Sequence, residues 1–579
     1  MNESEDKQQA DKPETAFLEN IAGAGKVLRR SWFSYLRAHA NTAVLILLVL
    51  LASYISVGRL LMPLASTQKD WLENELIKSL GLEITVGSLQ GSWFRFSPII
   101  SLHDVEIIQE QNSDIMHSLK ELNIALDVPQ SLLKRQLIIN RVVIDEMSLL
   151  LLENESGDWS LSGFSASEND NTEQLLDILF NVERLQIAEA KLLLRRYDSA
   201  DIELNNIYLD IQNNPQNHQA QLQFRINDQS SPVQMALRLD GNPLGIYSAN
   251  AFLDINNLDL LPLIDDAYNQ QMSLTAFNGS AQLWLDFDNQ SVKQAQATLA
   301  NLNLSADFLQ SGQSIAITSG SADITAIQPI DKDWSFWAQN LQFDFFNRPW
   351  ESGDFFIELN LQNESPALDV KGESVNLAIF TDMLEALNLT EQTRQVLSDL
   401  DPRGNLRNLH LQTDFSGLYP GAFDLAANLE DVAVDAWAQA PSGSGIFGYV
   451  EANQNSGFVD VNSEDFTIHL PRIFQESWHY DAINGRVHWA VDNGSVRVYS
   501  DTIDARNDAI HGRVKFEINN QQDAEEAWDS NLNLLVGVLD FDASYKSRYL
   551  PTLNNIRGTM DYLDKAVISG NISNSGFIF

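Results

Sequence analysis

From Ile84 to the end of the chain, apolar and polar residues alternate with a period of two, in one run after another. Residues 219–227 (QAQLQFRIN) put Ala220, Leu222, Phe224 and Ile226 on one face and mostly polar side chains on the other. Val233, Met235, Leu237 and Leu239 repeat the pattern, then Ala281, Leu283, Leu285 and Phe287, then Leu341, Phe343 and Phe345. Phe355, Ile357, Leu359 and Leu361 continue it, followed by Val487, Trp489 and Val491 and by Val514, Phe516 and Ile518. Runs of this kind predict antiparallel strands with one apolar and one wet face, roughly 25 of them in all. Several open on an apolar-x-Gly-x-apolar step, at Gly279, Gly485, Gly512 and Gly558, where a glycine suits a bulge or sharp bend. Helical spacing is confined to residues 68–80, 172–180, 258–268 and 379–397, the last expected to break at Asn388-Leu-Thr390. Without regular strand–helix alternation a Rossmann or TIM-type parallel sheet is excluded, and the fold class is mainly β.

The amino-terminal segment breaks this rule. Residues 1–37 form a polar and basic tail, and residues 38–64 carry an apolar run from Thr42 to Leu64. At ~1.5 Å per residue that run makes about 34 Å of helix, enough to cross a ~30 Å hydrocarbon core. Lys26, Arg29, Arg30 and Arg37 precede it, whereas Arg59 and Lys69 are the next basic residues. The asymmetry places the amino terminus in the cytoplasm and the bulk of the chain across the membrane. A cleaved signal peptide is the competing reading, but Pro63-Leu64-Ala65 is a poor cleavage site, so an uncleaved signal anchor is expected. Thr67 then offers an N-cap three residues before Asp70, and Trp71, Leu72, Leu76, Ile77 and Leu80 form the apolar face of a membrane-proximal helix that Gly81 would end.

Charge and candidate chemistry narrow the function. The net charge of −42 lies almost wholly beyond residue 64, and a body so acidic repels phosphate backbones, which excludes nucleic-acid binding. The absence of cysteine removes disulfides and thiolate metal sites. Gly443-Ser-Gly445-Ile-Phe-Gly448 is a literal GxGxxG, but Pro441 precedes it and an alternating stretch follows, so a glycine-rich turn is expected rather than a dinucleotide site. His469, His479 and His488 have no metal-ligand spacing. Ser66 and Lys69 form an SxxK without partner motifs, and acidic pairs such as Asp265–Asp266 read as solvated loops. No enzyme, metal or cofactor is expected.

The apolar faces must therefore be accounted for another way. Sheet-on-sheet sandwiches are one solution, an outer-membrane barrel a second, and a long curled sheet with an apolar trough a third; the uncleaved anchor argues against the barrel. WLENELIKSLGLEITVGSLQGSW and SPIISLHDVEI, just after the anchor, resemble the amino-terminal signature of the AsmA-like superfamily. GDWSLSGF (157–164), DPRGNLRNLHLQ (401–412), PSGSGIFGYV (441–450), LPRIFQESWHYDAINGRVHWA (470–490) and YLPTLNNIRG (549–558) resemble its YhdP family, in order, over nearly all of the chain from about Trp32.

This resemblance implies a protein anchored in a Gram-negative inner membrane, with residues 65–579 as an elongated, groove-shaped periplasmic β region that carries phospholipid toward the outer membrane. It also implies a longer protein, of which this chain, stopping within a repeat at Phe579, is expected to be the amino-terminal part. On that reading the groove is lined by Leu222, Phe224, Ile226, Leu237, Leu239, Leu283, Leu285, Phe287, Leu341, Phe343, Phe345, Ile357, Leu359, Val514 and Phe516. The expected partners are phospholipid and the inner membrane, with outer-membrane or envelope proteins as further candidates. An envelope scaffold built from closed β-sandwich modules is the alternative, and an envelope hydrolase a distant third.

Overall fold

The computed structural model describes residues 39–578 apart from 81–82, 109–116, 136–137, 162–179, 181, 198, 243–244, 265–271, 290, 309–313, 331–332, 351–352, 362–365, 387–390, 417–418, 438–439, 472, 493–494, 523–527 and 552–556. Among the described residues the chain is mainly β, with 27 strands, and every strand pair whose register is described is antiparallel. The chain divides into two compact units, Met1–Leu149 with Ser162–Ala190, and Leu150–Leu161 with Lys191–Phe579.

In the first unit the apolar helix runs from His39 without a break into a 3₁₀ segment, Met62–Gln68, and on into the helix Lys69–Leu80. Thr67 is not the N-cap expected from sequence. Pro63 opens the 3₁₀ segment, and the Thr67 hydroxyl donates back to the Leu64 carbonyl at 2.7 Å, the habit of Thr inside a helix. The strand Glu83–Phe94 follows and pairs with Ser97–Ile108 from Glu83↔Ile108 to Phe94↔Ser97. Its other edge is managed by the helix. Glu73 Oε1 accepts the Val86 N–H at 2.6 Å, and Lys69 Nζ donates to the Gly87 carbonyl at 3.2 Å. Two groups that would otherwise template a further strand are thereby occupied. Beneath the helix, Leu72 packs on a core of Ile84, Val86, Leu89 and Leu102. The side chains of Leu76, Ile77 and Leu80, like Lys26, Arg29, Arg30 and Arg37, lie outside the described residues.

The second unit is a succession of long strands, among them Met272–Asp288, Ser291–Phe308, Ser314–Ile330 and Asp333–Phe345. One irregularity recurs. Asn206, Asn257, Asn301, Ser319, Asn340, Asn408, Asp431 and Asp465 all have φ between 45° and 62° within strands. Most of these positions coincide with a shift of register, for example between Ile255 and Leu258 and between Leu299 and Leu302. These are β-bulges, and Asn and Asp are the non-glycine residues that tolerate the left-handed region best. Small polar side chains collect several N–H groups at the disturbed ladders. Asn257 N–H donates to Ser280 Oγ at 2.8 Å, Phe447 N–H to Ser463 Oγ at 2.8 Å, and Ser319 N–H to Asn303 Oδ1 at 3.2 Å.

The glycine steps read from the sequence therefore have a different role. Gly279 is not itself at positive φ; it lies across from the Asn301 bulge, where a Cβ would come within 3.1 Å of Leu302 Cα. Gly448 is tighter, since a Cβ there would lie 1.8 Å from the Asp460 carbonyl oxygen. Gly443-Ser-Gly445-Ile-Phe-Gly448 is not a turn but part of the strand Ser442–Asn453, with Gly445 at φ 68° in a bulge. Gly558 stands in a helix, Arg557–Ala566, and not at a strand entry.

Residues 258–268, expected to be helical, continue the strand to Asp259 and make only the 3₁₀ turn Leu261–Leu263, because Leu258 is a buried strand residue and Pro262 supports a single tight turn. Residues 265–268 and 172–179 lie outside the described residues, as does the expected break at 388–390 between the helices Leu377–Ala386 and Glu391–Leu400. Ile379 on the first of these packs with Phe345, Trp350 and Val375, while Ile202, Ile226, Val233 and Leu258 make a second filled cluster.

A β-branched residue cannot rest in the left-handed region without strain, so Asn257→Val is expected to destabilise the full chain by roughly 1–2 kcal/mol. Asn257→Gly is expected to melt close to the parent. Circular dichroism melting of the full chain in detergent micelles measures the difference.

Candidate functional site

The registers align a single file of side chains across the second unit. Ile211 faces Ala220, which faces Leu237, then Ala251, Leu285 and Ala295. The file continues through Ala326, Phe336, Ile357, Val370, Leu411 and Leu425. It ends through Ala452, Gly457, Trp489, Val498, Ile518 and Leu532. Directly opposed residues of an antiparallel pair share a face, so these belong to one face of the sheet. No polar side chain interrupts the file. At ~4.8 Å per strand its seventeen pairings trace a path of roughly 80 Å. Neighbouring files parallel it: Leu222, Met235, Leu253, Leu283 and Ala297 stand opposite one another in turn.

Burial decides what this face is. Ala326 is the one buried member of the file; the others are half-buried or, at Leu237 (37%) and Leu532 (38%), exposed. The inner positions of a sandwich would be covered by a second sheet. Here the described strands belong to a single sheet, and of the file only Ala326 is buried as a sandwich core would be. Large and small residues alternate along its first part, Ile211, Ala220, Leu237, Ala251, Leu285, Ala295.

The residues proposed from sequence divide accordingly. Leu237, Leu285 and Ile357 are members of the file. Leu222, Leu283, Phe287, Leu341, Leu359, Val514 and Phe516 are half-buried in described strands around it. Phe224 and Phe343 are half-buried but pack against the two filled clusters. Ile226, Leu239 and Phe345 are corrections. At 3%, 6% and 0% exposure they are packed out, Ile226 among Ile202, Val233 and Leu258, and Phe345 beside Trp350 and Ile379. They offer no surface to a ligand. Leu411, Leu425, Trp489 and Val498 were missing from the sequence-based set. Trp489 alternates visibly, but register alone brings the four into line.

The opposite face is a polar ladder. Asn250 pairs with Asp286, Gln282 donates to Asp254 at 3.2 Å, and Thr298 (2.9 Å) and Asn340 (2.8 Å) both donate to Asp323. Arg407 meets Glu430 at 2.5 Å, Arg497 meets Glu517 at 2.9 Å, and Arg486 bonds Asp460 while lying over the Phe458 ring. The Arg486 hydrogen bond holds the Asp460 carboxyl below its ordinary range. The histidines do not converge. His479 pairs with Asp465 at 3.2 Å, and His488 stacks on Tyr499. Among the described residues no group of three His, Cys, Asp or Glu side chains could hold a metal ion.

The family model described as YhdP protein matches residues 35–579. The chain belongs to the YhdP family. It is 21% identical over 548 residues to the intermembrane phospholipid transporter YhdP of Escherichia coli (strain K12), a match that covers 92% of this chain and 42% of that protein. The chain thus spans less than half the length of that relative. No solved structure matches it.

Because Asp460 is held below its unfolded value, its contribution is present above the ordinary carboxylate pKa of about 3.9 and is lost as pH falls through the folded value. Arg486→Gln is expected to flatten the fall in melting temperature below about pH 4, where the parent loses this contribution. Melting curves across pH 2.5 to 7 compare the two. A second contrast tests burial. Phe345→Ala is expected to cost about 3–5 kcal/mol as a cavity, whereas Leu237→Ala, already exposed, costs under ~1 kcal/mol.

Proposed function

We propose that the chain is the membrane-anchored part of a conduit that conducts phospholipid acyl chains along the open apolar face of its second unit, without chemistry. One observation carries the reading: an uninterrupted, half-open apolar file across seventeen strand pairings. Open apolar surface of this extent marks a binding surface in a folded protein. The relative's role as an intermembrane phospholipid transporter supports acyl chains as the occupant. The energetics agree. At ~0.8 kcal/mol per methylene, two 16-carbon chains moving from bilayer to water cost on the order of 25 kcal/mol, and an apolar face offsets most of that while the headgroup stays wet.

Placement follows from the first unit. The helix from His39 is the one described helix long and apolar enough to span a membrane, and residues such as Leu47 (65%) and Leu60 (77%) are exposed around it, as lipid contact requires. In our reading residues 38–64 cross the inner membrane, residues 1–37 with Lys26, Arg29, Arg30 and Arg37 lie in the cytoplasm, and residues 65–579 lie in the periplasm. The conduit leads toward the outer membrane, whose proteins, with those of the envelope, are candidate partners. The acidic, ion-paired outer face keeps such a body soluble.

Photo-crosslinking amino acids at Leu285 and Val498 are expected to capture phospholipid in cells, and one at Asp286, on the polar face, is not. Leu411→Glu puts a charge in mid-file at a half-buried position, so it is expected to reduce lipid transfer several-fold while the melting temperature stays near the parent's. Capture of protein alone at both apolar positions, with transfer unchanged by Leu411→Glu, would favour the scaffold reading.

A further inference from the structure

The apolar helix is not a free tether to the sheet. Tyr54, Gly58, Met62 and Ala65 recur at helical spacing on one side, and all four meet the first strand. Tyr54 stacks edge-on against Trp93, with centroids 5.0 Å apart, and its hydroxyl donates to the Phe96 carbonyl at 2.9 Å. A Cβ at Gly58 would lie 2.2 Å from the Trp93 ring, and one at Gly91 would lie 2.1 Å from the Met62 carbonyl oxygen and 2.9 Å from Ala65 Cβ. The two glycines bring strand and helix together along three helical turns.

The direction of this contact is informative. Going from Gly91 to Phe96 along the strand corresponds to going from Ala65 back to Tyr54 along the helix, toward its amino terminus. The first hairpin therefore points back along the span. Its turn is made by Arg95, at φ 55°, between Phe94 (58% exposed) and Phe96 (51%). Two open phenylalanines at a turn are costly in water, where turns are ordinarily polar. Five residues separate Tyr54 from Arg59, the first charge on this side of the span, so the tip lies about 7 Å deeper than Arg59 at ~1.5 Å per residue. That is the depth at which aromatic side chains settle at a membrane interface. Arg95, stacked over Phe94 at 5.3 Å, has the length to return its charge to the headgroups.

We propose that the tip of the first hairpin, residues 94–96, is inserted in the phospholipid leaflet on the exit side of the span, so that the sheet begins inside the membrane and not above it. The inference rests on the reading of residues 42–64 as a membrane span. The occupant is the leaflet itself, acyl chains against Phe94 and Phe96 and phosphates within reach of Arg95.

The chain has no cysteine, so single sites can be labelled cleanly. Phe94→Cys and Phe96→Cys, each carrying an environment-sensitive fluorophore, are reconstituted as full chain in vesicles of phosphatidylethanolamine and phosphatidylglycerol. Leu47→Cys reports the span and Ser544→Cys an exposed bend of the second unit. The expected result is that labels at 94 and 96 are quenched several-fold more by lipids bearing a nitroxide near the acyl-chain head than by aqueous iodide, as at 47 and opposite to 544. In a Gly58→Leu background, which wedges Trp93 off the helix, the labels at 94 and 96 are expected to become iodide-accessible while that at 47 stays protected. Iodide access at 94 and 96 in the parent, with 47 protected, overturns the insertion and leaves the anchor standing. Iodide access at 47 as well overturns the anchor and the insertion together.

Discussion

An open apolar face on an antiparallel sheet depends on parity. Successive side chains point to opposite faces, so a slip of one residue in any strand turns its apolar set outward and puts a polar one in its place. A bulge is such a slip. This chain bulges in strand after strand, and its apolar face continues past a bulge because the alternation changes phase there. In Asp333–Phe345 the even positions Trp334, Phe336 and Ala338 are apolar before Asn340, and the odd positions Leu341, Phe343 and Phe345 after it. Phe336 sits in the open file and Phe345 in a filled cluster, on the two sides of that one residue.

The bulges also explain what the sequence did and did not disclose. Period-two alternation made the strands legible, along with the direction in which their apolar sides turn. Gly279 drew attention to the right place for a partial reason, since the left-handed residue at the Asn301 bulge is an asparagine and the glycine opposite makes room for it. Asn257-Leu258 and Asn301-Leu302 sit where two alternating runs fall out of phase, and that break in rhythm was the available signal. The buried positions were less accessible. Nothing local distinguishes Phe345 from Leu285; one is packed against Ile379 of the helix Leu377–Ala386, and the other is not. Membership of the file was hidden for a similar reason, because Leu411 and Trp489 become neighbours of the same path only through pairings that span many strands.

The first edge of the sheet shows the same economy as the bulges. An open strand edge invites pairing with another chain, and here Lys69 and Glu73 from one helical turn occupy a carbonyl and an N–H of Glu83–Phe94. The same helical run, four residues earlier, is already packed against that strand through Ala65 and Gly91. Apolar helix, edge protection and first hairpin are thus joined by direct contacts although the composition of the segment changes twice.

The alternation of large and small residues along the file has a kinetic meaning. Isoleucine, alanine, leucine, alanine, leucine, alanine make a gentle corrugation that repeats every second strand, about 10 Å at ~4.8 Å per strand. A methylene chain, the occupant we propose, is finer-grained than that and flexible, so it would meet no socket shaped to its own repeat and no step taller than a side chain. Such a surface holds a guest by the sum of many shallow contacts, none deep enough to stop it. Passage requires that balance, strong enough attraction to enter and too little at any one place to stay.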